Sequence, residues 1–400
     1  MADKQILAIH GGKPVRESKI YYGHQYLDDQ DIDAVVNVLK GDYLTCGPAI
    51  PSLEKALCEY TGAKYAVAVS NGTAALHIAC LSEGIGAGDE VITTPLTFAA
   101  SANCVKYCGA TVVFADINPL TYNIDPEDIR RKITDKTKAI IAVDFTGQAV
   151  EIDEIKQICK EHDLLFIEDA AHSIGTCYNG VQVGALADMT TFSFHPVKTV
   201  TGGEGGAVLT NDAKLYEQLV LYRAHGITRN EDLLHHEAQG PWYYEMLQLG
   251  YNYRITDFQA ALIESQLNKL ERFKTRRQEI VARYDEAFAD VLEIFVQKEI
   301  KESDTTRHLY IIQLKLDYLK ATRLEVFEAL AAENIQCNVH YIPVYYFPYY
   351  EKQGYARGLC PHAEAAYEGF ISIPLFPAMS DADVESVIEG ILKVIAYYKL

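Results

Sequence analysis

The strongest constraint on this chain is a rhythm of seven short apolar runs between about residues 60 and 210. They lie at 65–69, 90–94, 111–115, 139–143, 164–167, 190–194 and 206–210. Gly, Pro, Asp or Asn flank them. The middle runs carry apolar residues at successive positions, as strands covered on both faces do. Amphipathic stretches such as 74–83 and 153–161 fill the gaps and predict helices. Strand alternating with helix predicts an α/β fold, a mostly parallel sheet between helical layers.

From 256 to 288 the period changes. Leu267, Leu270, Phe273, Ile280, Tyr284 and Phe288 recur every three or four residues, which predicts one long helix with Thr256 or Asp257 at its start. This helix is expected to lead from a large domain, 1–265 with an N-terminal arm at 1–27, into a smaller α+β domain, 266–400. In the latter a strand is expected at 310–314 and a helix at 323–334. At 400 residues, two lobes with sizeable cores fit the usual domain size.

Charge and cysteine content narrow the partners. The net charge of −19, from 36 basic and 55 acidic residues, argues against nucleic acid, which needs a basic face. It leaves room for a small anion, which responds only to the local field. Nine cysteines without a CxxC pair read as reduced thiols in a cytoplasmic protein rather than as a zinc site or a disulfide framework. No basic segment followed by an apolar stretch opens the chain, and no run approaches the roughly 20 apolar residues of a membrane span. The expectation is neither secretion nor membrane insertion, and no metal.

Chemistry concentrates at strand ends. After the run at 65–69, Ser70-Asn-Gly72-Thr73-Ala-Ala-Leu76 opens a helix. Gly72 permits close backbone approach, Thr73 offers a hydroxyl, and the free amides of a helix start attract phosphate. An ordinary strand-to-helix turn has the same composition. Asp169 follows the run at 164–167, where ligands of open α/β sheets bind. It reads either as a helix cap or as a carboxylate that keeps a ring nitrogen protonated. His172 suits the same site or an interior packing position. Phe98, after the run at 90–94, suits a stacking role or the core.

Lys198 sits in Ser193-Phe-His-Pro-Val-Lys198, ahead of the glycines at 202–206. Phe192, Phe194, Pro196 and Val197 give an apolar approach that disfavours its ammonium. Those glycines precede a strand instead of opening a helix, so they form no dinucleotide fingerprint. Ser193 stands where it could share a phosphate with Thr73. A lysine amine that condenses with an aldehyde, a carboxylate for a ring nitrogen and a phosphate turn are together the requirements of pyridoxal 5'-phosphate (PLP).

In this order, the motifs at 70–76, 94–98, 168–172, 192–198 and Gly250-Tyr-Asn-Tyr-Arg-Ile-Thr-Asp257 resemble the DegT/StrS-type sugar-nucleotide aminotransferases. These are fold-type I PLP enzymes, aspartate-aminotransferase-like in architecture. The resemblance runs from about Tyr22 to the C-terminus. It implies that Lys198 carries PLP as an internal aldimine and shuttles protons, with pyridoxamine phosphate formed in each cycle. It implies further that Asp169 pairs with the ring nitrogen, that Phe98 stacks on the ring, and that Gly72, Thr73 and Ser193 hold the phosphate. His172 joins this cofactor set. Asn252 is implied to reach the phosphate of a second subunit, making a homodimer with its active site at the interface.

Within the family, 44–48, 143–148, His308-Leu-Tyr310 and 339–343 look most like the pseudaminic acid branch, and Asp144 stands where many relatives carry histidine. That likeness implies L-glutamate as donor and a UDP-linked 4-keto-6-deoxy-N-acetylhexosamine as acceptor, aminated at C4. Tyr22, Leu44, Thr45, Cys46, Gly47, His340, Tyr341, Ile342 and Pro343 would line the nucleotide-sugar site, although packing between domains or subunits would equally explain Tyr22 and 340–343. Cys46 departs from the longer polar side chain expected at its position. Other nucleotide-sugar aminotransferases are the nearest alternative. A sugar dehydratase is disfavoured because such relatives carry histidine in place of Lys198. A PLP-binding regulator is disfavoured because no basic helical segment is present to read DNA.

Overall fold

The computed structural model describes residues 6–400. Its centre is a seven-stranded sheet built from the seven apolar runs. These are β1 (Tyr65–Val69), β2 (Glu90–Thr93), β3 (Thr111–Phe114), β4 (Thr137–Val143), β5 (Leu165–Asp169), β6 (Met189–Ser193) and β7 (Gly206–Thr210). The order across the sheet is β1-β7-β6-β5-β4-β2-β3, and only β7 runs antiparallel to its neighbours.

Strand alternation divides the apolar residues between two cores. Val67, Val69, Ile141, Ile167 and Val208 face one layer, which contains helices α3 (Gly72–Ser82) and α4 (Ala100–Tyr107). Ala66, Ala68, Ile140, Phe166 and Leu209 face the other, packed on α2 (Ala49–Thr61), α6 (Ile152–His162) and α8 (Asp257–Leu267). The same alternation puts Asp169 and Ser193 on the α3 side and Glu168 on the opposite side. The residues of α3 from Ala74 to Cys80 are all buried, as in a helix covered on every side. Helices α1 (Asp29–Leu39), α5 (Pro126–Lys132) and α7 (Ala213–Arg223) pack beside α8, α6 and α3.

The long helix expected over 256–288 is two helices, α8 and α9 (Leu270–Phe288). The break falls at Lys269, whose buried amine pairs with Asp31 at 2.8 Å and also with Asp28. Satisfying that buried charge outweighs one more turn of continuous helix. Thr256, not Asp257, caps α8, in a box with Gln259.

Beyond α9, a three-stranded antiparallel sheet, Ile294–Val296, Tyr310–Leu314 and Phe370–Ile373, packs with helices Arg323–Ala332 and Asp381–Tyr398 around a third core. Ile20–Tyr21 pairs in parallel with Ile335–Gln336. The buried carboxylate of Glu333 accepts the amides of Ala8 and Val15 at 2.9 Å. These amides find their partners in the smaller α+β unit, so the arm packs there and carries Tyr22 to the crevice between that unit and the large sheet. Residues 1–5 of the arm lie outside the described residues.

Gly206 tests how tightly the turn after β1 is built. A Cβ there would come within 2.5 Å of the Asn71 backbone and 2.8 Å of the Gly72 nitrogen. Gly206→Ala is expected to cost about 1–3 kcal/mol by overpacking, read as a lower denaturation midpoint in urea. An unchanged midpoint would show that the turn is free to move.

Candidate active site

A cavity of about 930 Å³ opens at the carboxyl ends of β1, β5 and β6, under residues 338–342 of the smaller unit. It brings together eleven of the residues expected from sequence. Gly72, Thr73, Phe98 and Asp169 line it, as do His172, Ser193 and Lys198. From the substrate set Tyr22, His340, Tyr341 and Ile342 line it. Six do not. Leu44, Thr45, Cys46 and Gly47 form a loop clamped by Asp257, which accepts the Gly47 amide at 2.8 Å and the Ala49 amide at 3.0 Å. Pro343 precedes a short turn tied to the large sheet by Val344 N–H donating to the Pro95 carbonyl at 3.1 Å. Asn252 is exposed and bridges Ala224.

The turn after β1 has a defined cause. Asn71 caps α3, its Oδ1 accepting the Ala74 amide at 2.8 Å. The amides of Gly72 and Thr73 are left at the helix start. A Cβ on Gly72 would lie 2.9 Å from the Ser193 Cβ and 3.1 Å from its Oγ. The glycine therefore keeps open a cradle between the helix start and the Ser193 hydroxyl. Ser70 N–H donates to the Tyr253 carbonyl at 2.8 Å and ties the 250–257 motif to the turn.

Asp169 ends β5 and is buried. Its Oδ2 accepts from Ser101 Oγ at 2.6 Å and its Oδ1 from the Ala171 amide at 3.2 Å. Burial pushes its pKa up, while these bonds and the Lys198 charge pull it back. Lys198 is half-buried. The protein around it strips water from the amine and lowers its pKa to about 8, against the pull of Asp169. Among the described residues no hydrogen-bond partner holds its Nζ.

His172 and Tyr341 form one wall, with rings 6.1 Å apart and nearly parallel, and Nε2 lying 3.3 Å from the tyrosine oxygen. Burial, then the Lys198 charge, hold His172 well below the ordinary histidine value. His172 Nδ1 is buried without a partner. His308 packs 4.5 Å from His172 and is also kept neutral by burial. It lines the cavity although sequence reasoning noted only its motif. Burial lowers His340 to about 4. Phe98 is 64% exposed and presents its ring at the cavity mouth.

Asp144 does not line the cavity. Its oxygens accept from Ser173 Oγ at 2.6 Å and from the Val150 amide at 3.0 Å. Burial and the neighbouring Glu168 carboxylate raise its pKa, and burial raises Glu168 to about 7. Two buried acids this close retain a proton between them.

The fit to PLP rests on the chain's own groups. It has an open cradle at a helix start, a buried carboxylate and a lysine amine poised near neutrality facing one cavity. This fold and site define a fold-type I PLP enzyme. The chain matches the DegT/DnrJ/EryC1/StrS aminotransferase family over residues 25–392 and belongs to it. It is 39% identical to the spore coat polysaccharide biosynthesis protein SpsC of Bacillus subtilis, over 94% of this chain and 96% of that one. It is 38% identical to the UDP-4-amino-4,6-dideoxy-N-acetyl-beta-L-altrosamine transaminase of Campylobacter jejuni, over 95% and 98%. Helicobacter pylori PseC, an aminotransferase of pseudaminic acid biosynthesis, superposes with TM-score 0.89 at 32% identity, covering 95% of this chain and all of that one. Streptococcus pneumoniae Spr1654, a sugar aminotransferase solved in PLP and PMP forms, superposes with TM-scores of 0.87 and 0.88 at 30% identity. The coverage is 95% and 94% of this chain and 99% of that one.

Because the Lys198 amine titrates at about 8, its neutral, nucleophilic fraction falls about tenfold per pH unit below that value. PLP uptake by the apoprotein is expected to accelerate with rising pH and level off above pH 8, followed by absorbance in a stopped-flow instrument. A midpoint near the ordinary lysine value of about 10.4 would contradict the buried-amine account.

Proposed function

We propose that this aminotransferase moves an amino group from L-glutamate to C4 of UDP-2-acetamido-2,6-dideoxy-β-L-arabino-hex-4-ulose, giving UDP-4-amino-4,6-dideoxy-N-acetyl-β-L-altrosamine. The observation that carries the chemistry is the convergence of Lys198, Asp169 and the Gly72–Ser193 cradle on one cavity. The choice of acceptor is supported by the Campylobacter relative, whose name specifies that product.

When bound, PLP supplies an electron-poor ring that accepts the pair left by a breaking C–H bond. Lys198 would hold the cofactor through its Nζ, and the same amine, when free, would take a proton from the donor carbon and give it back. A positioned base of this kind contributes roughly 10²–10⁴ in rate. Asp169 keeps the ring nitrogen protonated. The helix-start amides of Gly72 and Thr73, with Ser193 Oγ, anchor the phosphate. Phe98 would bound the cofactor at the cavity mouth, and the neutral His172, hydrogen-bonded to Tyr341, would present it an uncharged wall. Tyr22, His340, Tyr341 and Ile342 bound the acceptor sugar.

The chain acts as a homodimer in this reading, in the cytoplasm, with its division near residue 265. Asn252 and the Leu44–Cys46–Gly47 loop, with Thr45, lie outside the cavity of their own chain, and Pro343 packs beside it. Asn252 and the loop serve the cavity of a second copy. Exposed Trp242 and Leu249, at 70% and 78%, lie in the segment just before Asn252 and supply apolar surface for that contact. A second reading keeps the mechanism and changes the sugar to a perosamine, bacillosamine or aminoarabinose precursor. SpsC, a relative of comparable identity, is named for spore coat polysaccharide biosynthesis and not for this product.

Incubation with glutamate and a panel of UDP- and TDP-linked 4-keto sugars, read by mass spectrometry and NMR, is expected to yield 4-amino product from the UDP-linked L-arabino ketone. Lys198→Ala is expected to form none and to lose the lysine-bound cofactor band. Amination of TDP-sugars alone would overturn the proposed substrate and leave the reaction class standing.

A further inference from the structure

The segment that carries Phe98 into the cavity also carries two hydroxyls that the function above does not use. Thr97 and Ser101 are both almost fully buried, 3% and 1% exposed. Thr97 Oγ1 lies 2.7 Å from Ser101 Oγ, and Ser101 Oγ lies 2.6 Å from Asp169 Oδ2. Thr97 precedes α4 and Ser101 sits in its first turn. Asp169 ends β5, 68 residues further along the chain.

With Asp169 as the anion, the proton bookkeeping of these three groups allows one arrangement. Asp169 acts as an anion, so Oδ2 accepts and Ser101 donates. A serine hydroxyl has one proton. With that proton committed to Asp169, the 2.7 Å contact is satisfied only if Thr97 donates to Ser101. The competing acceptor for Ser101, the Phe98 carbonyl at 3.4 Å, is too distant to win against a carboxylate at 2.6 Å. A hydrogen bond of that length to an ionised acceptor belongs to the strong, charge-assisted class. A second hydroxyl feeding the first polarises it further.

We propose that Thr97 and Ser101 form a buried hydroxyl relay that fixes Asp169 in the ionised, ring-facing state, making both of them positioning residues for the transamination. This rests on the PLP reading of the cavity. Ser101 occupies Oδ2 from the α4 side and Ala171 N–H occupies Oδ1. The carboxylate therefore cannot rotate freely, and its remaining lone pairs are directed by two fixed donors. The backbone behind it is clipped as well, because the Asp169 carbonyl accepts the Asp144 amide at 3.1 Å. One short segment thus sets both the ring stack, through Phe98, and the acid partner, through Ser101.

The charged and titratable groups around Asp169 give the relay its importance. Lys198 and Tyr341 face it from the cavity side, and Asp144 and Glu168 lie behind it. Burial favours a protonated Asp169. Lys198, Ser101 and Ala171 favour the anion. Apart from the Lys198 charge, the hydroxyl relay is the side-chain support for the anion.

The test uses the full chain as apoprotein and as holoenzyme. In apoprotein labelled with carboxyl-¹³C aspartate, the Asp169 resonance, assigned with Asp169→Asn, is titrated for wild type, Ser101→Ala, Thr97→Val and Thr97→Ser. Ser101→Ala is expected to raise the Asp169 midpoint by about one pH unit or more, the value of a hydrogen bond to a charged group. Thr97→Val is expected to raise it by less, and Thr97→Ser, which keeps the hydroxyl, to restore it. In the holoenzyme, Ser101→Ala is expected to lower kcat for the glutamate half-reaction roughly 10–100-fold with little change in KM. Unchanged Asp169 midpoints in Ser101→Ala and Thr97→Val overturn the relay. If Ser101→Ala does not fold, the Thr97→Val and Thr97→Ser pair decides alone. A wild-type protein that takes up no PLP defeats the functional reading, whereas the apoprotein titration still decides the relay.

Discussion

A buried carboxylate sharing a cavity with a lysine amine is the constraint from which the rest of this site follows. Isolated in an apolar interior, Asp169 would take up a proton, and a neutral acid cannot favour a protonated pyridine. Ser101, Ala171 and Lys198 each lower the cost of its charge. Lys198 faces the converse problem: burial deprives its ammonium of water, so it stands near the point where amine and ammonium coexist. Burial moves both groups away from their ordinary values, for Lys198 in the direction that imine chemistry needs, and each pulls the other part of the way back.

The sheet makes this possible by placing several strand ends side by side. β1 ends at the phosphate turn, β5 at Asp169 and β6 at Ser193, five residues before Lys198. The antiparallel β7 sits between β1 and β6. It brings the glycines after Lys198 back against the turn, where a Cβ on Gly206 would come within 2.5 Å of the Asn71 backbone, too close for any side chain. The smaller α+β unit closes the cavity with Tyr341 and His340. The N-terminal arm, tied to that unit through Glu333, adds Tyr22.

Most of the sheet was legible in the sequence because its strands are short, apolar and punctuated. Two of the seven, β1 and β7, begin and end where the apolar run does, and the others differ by one or two residues. The antiparallel direction of β7 was not legible, since strand direction leaves no trace in periodicity. Nor was the break at Lys269. A lysine on a helical pattern reads as a surface residue until its partners, Asp28 and Asp31, more than 230 residues earlier, are brought beside it. The site was readable where residues cluster in motifs, as at 70–76 and 168–172. Ser101 escaped because a lone serine at a helix start has no sequence signature for a contact 68 residues away. His308 escaped because its meaning lies in the packing of its ring on His172. Asp144, which the sequence marked as a branch-specific substitution, serves the backbone of the turn behind the site and makes no contact with the cavity.

The most direct measurement of the central claim is chemical trapping of the lysine. Borohydride reduction of the PLP-loaded protein converts any lysine–aldehyde linkage into a stable secondary amine, and peptide mass spectrometry locates it. The account predicts one modified residue, Lys198, with modification strongly reduced in Asp169→Ala because the ring has lost its anchoring charge. Cofactor mass on a different lysine, or equal labelling of many, would contradict it.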